Sequence, residues 1–255
     1  MPLYRHDDVQ DPDTLDCPLM GIAVDAGPHE SPCHQHKKAQ LLYAVEGSMT
    51  ITMADTLCIL SPNRAAWLPP GVEHSTRTQG FHYRSLYFDT RYFTSLPVSQ
   101  SLLNVTPLFR ELILRVCEWQ PSYPEDGAEM RLATVLQDEL TRAVRADLML
   151  PLPQDRRLRG IADHLLQHPD DGRTLAQLAA DVGASSRTIS RHFRHETGMS
   201  FSDWRQQLRL LKAMELLSDK LPVSEISTRL GFASDSAFIA MFRRQTGESP
   251  GRYFL

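Results

Sequence analysis

The 255-residue sequence has few of the features that mark secreted, membrane or disulfide-built proteins. Its four cysteines (Cys17, Cys33, Cys58 and Cys117) are scattered and form no CxxC pair, so we expect reduced thiols and no disulfide framework. No apolar run approaches the roughly 20 residues that span a bilayer. Residues 1–16 are acidic and contain no apolar run, so we expect no secretory signal and a cytoplasmic protein.

The sequence also lacks a strong net charge, but its charges are unevenly divided. Residues 1–154 contain 12 Lys and Arg against 19 Asp and Glu, whereas residues 155–255 contain 15 against 12. An acidic front half therefore precedes a mildly basic back half. This asymmetry is typical of a polyanion-binding module attached to a second domain.

Short β-segments follow one another through residues 18–100. The clearest are 41–45, 49–53, 57–60 and 83–88, which are apolar or alternating and are divided by Gly, Pro, Asn or Asp. Many short strands at close spacing predict a sandwich or a barrel. The aromatic residues of this region, Tyr87 among them, are best interpreted as its core.

Beyond Thr106 the pattern changes to a helical one. Apolar residues recur at helical spacing and predict two helices between 106 and 147, with a break at Pro121 and Pro124. Pro151 and Pro153 then interrupt the helical pattern. We therefore predict a front domain over residues 1–150, a linker over 151–157 and an all-helical domain over 158–255.

The back half contains an internal repeat. Residues 175–183 align with 223–231, and the Phe193-Arg194 and Thr197-Gly198 pairs align with Phe242-Arg243 and Thr246-Gly247. In each copy a short helix ends at a glycine that suits a tight turn, and serines follow that can cap the next helix. The small residues Ala179 and Ser227 allow the two helices of a copy to cross closely. This layout predicts two helix-turn-helix motifs, each with its second helix in the major groove of DNA.

The second helix of each motif, which we call the recognition helix, has an outward face, and the two outward faces differ in their number of hydrogen-bond donors. Ile189 and Phe193 pack inward in the first, as Phe238 and Phe242 do in the second, by their i, i+4 spacing. The first outward face is rich in arginine, and the second is poor in donors. We predict that the first motif reads bases while the second contributes shape and phosphate contacts.

The predicted DNA-binding residues lie on these two helices and on the helix between them, which covers Trp204 to Leu217. Arg205 and Arg209 on that helix either contact the DNA backbone or hold the two motifs apart. The full set is Ser186, Arg187, Thr188, Ser190, Arg191, Arg194, Arg205, Arg209, Ser234, Ser236, Ile239, Arg243 and Arg244.

Residues 226–253 resemble the signature of the AraC/XylS transcription regulators. The matching residues include Gly231-Phe232, Phe242-Arg243, Ser249-Pro250 and Tyr253, while Ser227 stands where many members have alanine. The resemblance covers about residues 156–255 and implies two helix-turn-helix subdomains joined by a long helix, which read successive major-groove segments. Residues 186–211 resemble a branch of that family with a cupin front domain.

The front half resembles a cupin at two motifs, which imply a small antiparallel barrel. The first motif is fitted by Gly27, His34-Gln35-His36, Gln40 and Gly47 with two differences: six residues separate Gly27 from His34, where the motif has five, and glutamine stands in the usual glutamate place. Residues 69–74 fit the second motif, P-x-G-x-x-H. Alternate strand residues face the same way, so His34 and His36 are expected to point into the barrel, where His74 joins them. The alternative is that these histidines line a polar pocket without metal.

The predicted metal ligands are His34, His36, Gln40 and His74. Three imidazoles suit Zn, Fe, Ni, Cu or Mn, and a glutamine oxygen is a weak fourth ligand. Because Gln40 is neutral, a divalent metal in this set keeps more positive charge than it would beside a glutamate. We therefore expect an anionic co-ligand such as a carboxylate.

The sequence thus predicts an α+β protein with a cupin-like antiparallel β-barrel and flanking helices in front and an all-α double helix-turn-helix domain behind. We interpret it as a non-enzymatic transcription regulator of a double-stranded DNA operator, controlled by a small molecule or a metal. The expected partners include a second copy, paired through the helices of 106–147, and RNA polymerase. The alternatives are a cupin metalloenzyme, such as a dioxygenase or isomerase, fused to a DNA-binding module, and purely architectural DNA binding.

Overall fold

The computed structural model describes residues 11–78 and 81–253. These residues form two compact units. The first takes in the described residues up to Met53 together with Ile59–Met149, and the second takes in Ala54–Cys58 and the described residues from Leu150 onward. Within residues 11–78 and 81–253, none of the helices has the length and hydropathy of a membrane span.

The strands of the described residues pair in two antiparallel sheets, whose orders are β1-β8-β3-β6-β9 and β10-β5-β4-β7-β2. The predicted segments 41–45, 49–53, 57–60 and 83–88 are confirmed as β3, β4, β5 and β8. The strands are β1 (Leu19–Ala26), β2 (His29–His34), β3 (Ala39–Glu46), β4 (Met49–Met53), β5 (Thr56–Leu60), β6 (Arg64–Leu68), β7 (His74–Thr78), β8 (Phe81–Phe88), β9 (Ser101–Asn104) and β10 (Leu150–Pro151).

The two predicted helices of the front half are confirmed as α1 (Pro107–Val116) and α2 (Ala128–Arg142). Helix α1 begins where the Thr106 side chain accepts from the Phe109 amide and Pro107 fixes the first turn. Both helices bury residues such as Phe109 and Leu136 against one face of the first sheet.

The first sheet has one apolar face and one partly polar face. Leu41 and Tyr43 of β3 pack in the apolar cluster that includes α1 and α2. Because side chains alternate along a strand, Gln40 lies on the opposite face. That face also carries Tyr87, which packs with Ile22 and other residues of β1. Polar groups of the first sheet are therefore buried on the side away from the helices.

The second unit is helical from Arg156 onward. Its helices are α3 (Arg156–Gln167), α4 (Leu175–Asp181), α5 (Ser186–Thr197), α6 (Phe201–Ser218), α7 (Val223–Arg229) and α8 (Asp235–Thr246). Helix α6 is the predicted helix between the two motifs, three residues longer at its start and one at its end. Ala179 and Ser227 are buried, as the prediction of closely crossing helices requires.

Aromatic side chains fill the cores of both motifs. The ring of Phe193 lies 5.5 Å from that of Phe201 and 5.4 Å from that of Trp204, edge to face. In the second motif Phe238 and Phe242 are fully buried and 5.9 Å apart. Such edge-to-face pairs add to the free energy gained by burying the rings. The inward positions predicted from i, i+4 spacing are confirmed.

The predicted linker is ordered at both ends. Pro151 belongs to β10, and its carbonyl accepts a hydrogen bond from Trp204 Nε1 at 2.7 Å. Asp155 caps α3 by accepting from the amides of Arg157 and Leu158. The segment therefore packs within the second unit, and its role as a linker stays a prediction.

Candidate functional site

Three histidines meet at one end of the front unit. His34 ends β2 and pairs with His74 at the start of β7. His36 lies beyond the end of β2, in the segment that leads to β3, so it reaches the cluster from a turn and not from the strand itself. One nitrogen of each histidine lies within 4.8 Å of the others. The structure thus brings together all three predicted imidazole ligands.

The hydrogen bonds of two histidines fix which ring nitrogen carries a proton. Nδ1 of His34 lies 2.8 Å from the Pro32 carbonyl, and Nδ1 of His74 lies 2.9 Å from the Val72 carbonyl. A carbonyl oxygen only accepts, so Nδ1 donates in both residues and the neutral ring presents a lone pair at Nε2. Nε2 of His74 is buried and meets no partner among the described residues.

Burial keeps two of the imidazoles neutral. It lowers the pKa of His74 to about 4, with a smaller lowering from the neighbouring histidines. The pKa of His36 is lowered by burial and then by His34, while Asp11 and Asp13 oppose the shift. A neutral imidazole is the form that binds a metal ion. His36 and His74 are therefore in the ligating state at neutral pH without needing to lose a proton.

Gln40 is connected to this cluster through Tyr87, whose ring lies 5.1 Å from that of His36. Gln40 Nε2 donates to Ser85 Oγ at 2.9 Å and to the Tyr87 hydroxyl at 3.0 Å. Its Oε1 is buried and has no partner within the described part of the chain. The role of Gln40 as a fourth ligand stays a prediction.

Tyr87 is a site residue that sequence reasoning assigned to the core. Its ring is 5.1 Å from that of His36, and burial raises the pKa of its hydroxyl. The residue lies directly opposite Gln40 in the β3–β8 register. Only that pairing reveals its proximity to the histidines, and no local motif in the sequence indicates it.

Two acidic residues flank the cluster on the side of His36. Carboxylate oxygens of Asp11 and Asp13 lie within 4.8 Å of one another and of a His36 nitrogen. The Asp13 carboxylate also accepts from the amides of Lys37 and Lys38 at 2.8 and 3.1 Å. These hydrogen bonds stabilise the negative charge of Asp13. The site therefore has a negative charge beside His36 in addition to its three imidazoles.

The first helix-turn-helix motif consists of α4 and α5. Thr174 and Gln177 form the predicted capping box at α4, and Ser185 caps α5 by accepting from the Thr188 amide at 3.1 Å. Thr188 is half-buried and its hydroxyl lies 2.9 Å from Ser185 Oγ, so it contributes to the cap. The outer face of α5 exposes Ser186, Arg187, Ser190, Arg191 and Arg194.

The second motif consists of α7 and α8 and presents a different surface. Ser234 caps α8 by accepting from the Ala237 amide at 3.2 Å. Arg244 donates to Gln206 Oε1 on α6 at 3.0 Å. A shallow surface pocket on the outer face of α8 is lined by Ser236, Ile239, Ala240, Arg243 and Arg244. This face is more apolar than that of α5, as predicted.

Arg205 and Arg209 of α6 bind protein carbonyls. Arg205 Nη1 donates to the carbonyl of Arg173 at 2.7 Å, and Arg209 Nε donates to that of Pro169 at 3.1 Å. Arg209 also lies 5.4 Å over the ring of Phe232 in the second motif. Both arginines therefore contact other parts of the helical unit, and their predicted roles, contacting the DNA backbone or holding the two motifs apart, stay predictions.

Two family profiles match most of the chain. One is described as a helix-turn-helix domain and matches residues 154–255. The other is described as an AraC-like ligand binding domain and matches residues 17–168. The two matches overlap over residues 154–168, which contain helix α3.

Similar proteins of known name are regulators. The HTH-type transcriptional regulator NimR of Escherichia coli K12 is 34% identical over 245 residues, which cover 95% of this chain and 90% of NimR. The arabinose operon regulatory protein of the same organism is 29% identical over 129 residues, 49% of this chain and 44% of that protein. These names are those of transcription regulators and not of enzymes.

Solved structures of similar proteins include ToxT of Vibrio cholerae, with a TM-score of 0.39 and 9% identity over 92% of this chain and 97% of ToxT. The DNA-binding domain of AdpA, described in complex with a target DNA, has a TM-score of 0.36 and 35% identity over 37% of this chain and 86% of that domain. With a profile match over residues 17–168 and a relative aligned over nearly its whole length, the chain belongs to the AraC family of transcription regulators, with a ligand-binding front domain and a DNA-binding helix-turn-helix domain.

Proposed function

We propose that this regulator responds to a transition metal held by His34, His36 and His74, with Gln40 Oε1 as a weak fourth ligand. The supporting observation is the set of three imidazoles whose nitrogens lie within 4.8 Å of one another. Two of them donate Nδ1 to a backbone carbonyl, an arrangement that orients metal-binding histidines in other proteins.

The donor set fits a first-row divalent metal. Imidazole nitrogens suit Zn, Fe, Ni, Cu or Mn, and the buried unpaired Nε2 and Oε1 atoms gain a partner when a cation is bound. The metal supplies positive charge to an otherwise neutral group of ligands. The protein residues hold that charge in a buried place, from which it attracts an anionic effector.

Metal analysis of the untagged full-length protein tests this proposal. We expect about one metal ion per chain in the wild type and at least a tenfold loss in His36→Ala. His195→Ala is the matched control, because His195 is exposed on α5 in the other unit, and it should leave the metal content unchanged. A wild-type protein without stoichiometric metal contradicts the proposal.

We infer a division of labour between the two motifs on DNA. The exposed donors of α5 (Ser186, Arg187, Ser190, Arg191 and Arg194) suit guanine edges and phosphates, and Thr188 supports the helix start from which they reach the groove. Ile239 on α8 suits a thymine methyl group, while Ser234, Ser236, Arg243 and Arg244 suit phosphates. Arg205 and Arg209 hold α6 to the loop before α4.

The exposed apolar side chains of α1 and α2 support pairing of two copies. Leu132 and Val135 on α2 are 36% and 42% exposed and lie three residues apart, so they share one helix face. Leu108 on α1 is 53% exposed. We propose that these residues form a dimer interface, which matches the usual reading of two half-sites by such regulators.

Sedimentation at micromolar concentration tests the dimer. The wild type should sediment as a dimer, and Leu132→Glu should shift it to a monomer because a charge is costly in an apolar interface. Thr134→Glu is the control, since Thr134 is exposed on another face of α2. A monomeric wild type rules out pairing through this surface.

The remaining partners follow from the regulatory role. We propose that the protein acts in the cytoplasm on a double-stranded operator and that it communicates with RNA polymerase bound nearby. The front domain over residues 1–150 serves as sensor and the domain over 158–255 as DNA reader. Footprinting of target DNA with and without bound metal, followed by transcription in vitro, tests this assignment.

A further inference from the structure

Glu196 connects the recognition helix of the first motif to the chain that precedes α3. It follows Arg187 on α5 by nine residues, about two and a half helical turns, so the two side chains lie on opposite faces of the helix. Its Oε2 accepts from the amides of Gln154 and Asp155 at 2.7 and 3.0 Å. Hydrogen bonds to a charged acceptor are stronger than those between neutral groups. The arginine face of α5 is therefore held from its opposite side.

The segment that Glu196 binds is itself bonded to the turn between β4 and β5. The side-chain amide of Gln154 donates to the carbonyl of Ala54 at 2.8 Å, and the Leu152 amide donates to the carbonyl of Asp55 at 2.7 Å. All of these residues belong to the second unit. Gln154 thus joins the turn to the first motif, through its side chain on one side and its main chain on the other.

The same turn continues directly from a strand that pairs with a histidine of the cluster. Ala54 follows Met53, the last residue of β4, and Met53 lies opposite His74 in the β4–β7 register. His74 is 2% exposed, and its Nε2 meets no partner within the described residues. A restraint on His74 therefore reaches the turn through one strand pairing and one peptide bond.

The matching position of the second motif has different chemistry. The repeat aligns Glu196 with Gln245 of α8, since these residues precede the Thr197-Gly198 and Thr246-Gly247 pairs. Gln245 is neutral, and its Oε1 is buried without a partner in the part of the chain that the structure describes. The charged link made by Glu196 therefore distinguishes the first motif from the second.

We propose that Glu196 is a positioning residue that makes DNA binding by the first motif dependent on the occupancy of the histidine cluster. When His74 holds a metal, β7 and its partner β4 are restrained. The hydrogen bonds of Gln154 extend this restraint to Glu196, and so to α5. This inference rests on the metal site proposed above, and it makes the first motif the one that responds.

Operator affinity of the full-length protein with and without zinc tests the proposal, on a site selected from random DNA. We expect zinc to change the wild-type affinity about fivefold or more, which is the lower end of coupling between two sites. Glu196→Ala should bind the same amount of zinc and change its affinity by less than about twofold. Glu248→Ala is the control, because it removes an exposed carboxylate just after α8, and it should respond to zinc as the wild type does.

Gln154→Ala provides a second test if Glu196→Ala does not fold. It removes the shorter hydrogen bond to the Ala54 carbonyl and leaves the longer one from Arg159, at 3.5 Å, so its zinc response should be smaller than that of the wild type. A wild-type response in either variant, or zinc binding to the wild type with no change in operator affinity, overturns the role of Glu196 and leaves the metal site standing. Absence of zinc binding in the wild type overturns the metal site and this inference together.

Discussion

The two helix-turn-helix motifs have the same backbone plan but expose different chemistry. Helices α5 and α8 each contain 12 residues, begin at a serine cap and end at a left-handed glycine. Yet α5 exposes three arginines on its outer face, whereas α8 exposes Ile239 and Ala240 beside Arg243 and Arg244. Caps and glycines thus give the two helices the same backbone geometry, while other residues give their outer faces different chemistry.

The motifs also differ in what holds them. Helix α4 begins with a capping box, but α7 has Pro222 as its N-cap residue and no side-chain cap. The turn glycine of the second motif, Gly231, packs against the backbone of Asp170, whereas a Cβ on Gly183 in the first motif meets nothing within 4 Å. The first motif is therefore stabilised by its own local bonds, and the second by contact with the loop that precedes α4.

The largest expected effect comes from replacing the two turn glycines by alanine. Both glycines have positive φ angles, of 65° at Gly183 and 68° at Gly231. An alanine in this left-handed conformation costs about 1 kcal/mol of folding free energy. A Cβ on Gly231 would also lie 2.6 Å from the Asp170 carbonyl oxygen. We expect Gly231→Ala to lower the free energy of unfolding by about 3 kcal/mol and Gly183→Ala by about 1 kcal/mol, measured by urea denaturation. Equal losses in both variants would show that contact with Asp170 is not what distinguishes the motifs.

The next effect concerns operator affinity. Arg191→Ala and Arg187→Ala should each cost about 1–3 kcal/mol of binding free energy, the range for a bidentate guanine contact. Arg243→Ala should cost less and should flatten the dependence of affinity on salt, because it removes a phosphate contact. Fluorescence anisotropy on a selected operator at several salt concentrations separates the two classes. Identical losses and identical salt slopes for all three variants would refute the division of labour.

A smaller effect tests the cap that only the first motif has. Thr174→Ala removes the acceptor of the Gln177 amide and should lower the free energy of unfolding by about 1 kcal/mol. Thr174→Ser keeps the hydroxyl and should stay near the wild type. Thermal and urea denaturation measure both variants. If the alanine variant matches the serine variant, the capping box does not contribute to the stability of the first motif.

The smallest expected effect is a fall in the free energy of unfolding at acidic pH. Arg173, with a smaller contribution from His164, holds the pKa of Asp171 well below its usual range. The stability that this carboxylate contributes is therefore complete above about pH 5, and it is lost as the pH falls below the unfolded pKa of about 3.9. Urea denaturation between pH 7 and pH 3 should show this loss in the wild type and a flatter profile in Asp171→Asn.

The control for the acid experiment is Asp163→Asn, which removes an exposed ion pair with Arg159. Exposed pairs contribute little to stability, so its pH profile should follow that of the wild type. An Asp171→Asn profile that also follows the wild type would remove Asp171 from the account of acid stability.

The helices of the second unit could be predicted from the sequence because the residues that define their ends and buried faces are close together in the chain. Caps such as Ser185 and the glycines at the helix ends lie within a few residues of the boundaries that they set. Inward positions follow from i, i+4 spacing alone, and Ile189 and Phe193 are buried as expected. The hydrogen-bond partner of Arg205 could not be predicted from the sequence, because its acceptor is a carbonyl 32 residues earlier in the chain.

In the front half, local patterns predicted the clearest strands and both helices, but the candidate site could be predicted only where motifs carry it. His34, His36 and His74 are predicted by their spacing, and the structure brings them together. The Gln40–Tyr87 pair depends on the register of two strands 47 residues apart in sequence, which local patterns do not specify. His36 leaves the strand because the chain turns toward β3 after His34, so the rule of alternating strand faces does not apply to it.

The most direct test of the central claim, that the first motif reads sequence and the second anchors the protein, is selection of binding sites from random DNA. The wild type, Arg191→Ala and Arg243→Ala are each allowed to select from the same library, and the recovered sequences are aligned. We predict that Arg191→Ala loses the preference at one guanine position, while Arg243→Ala recovers the wild-type consensus with fewer bound molecules. A changed consensus for Arg243→Ala, together with an unchanged one for Arg191→Ala, would contradict the claim.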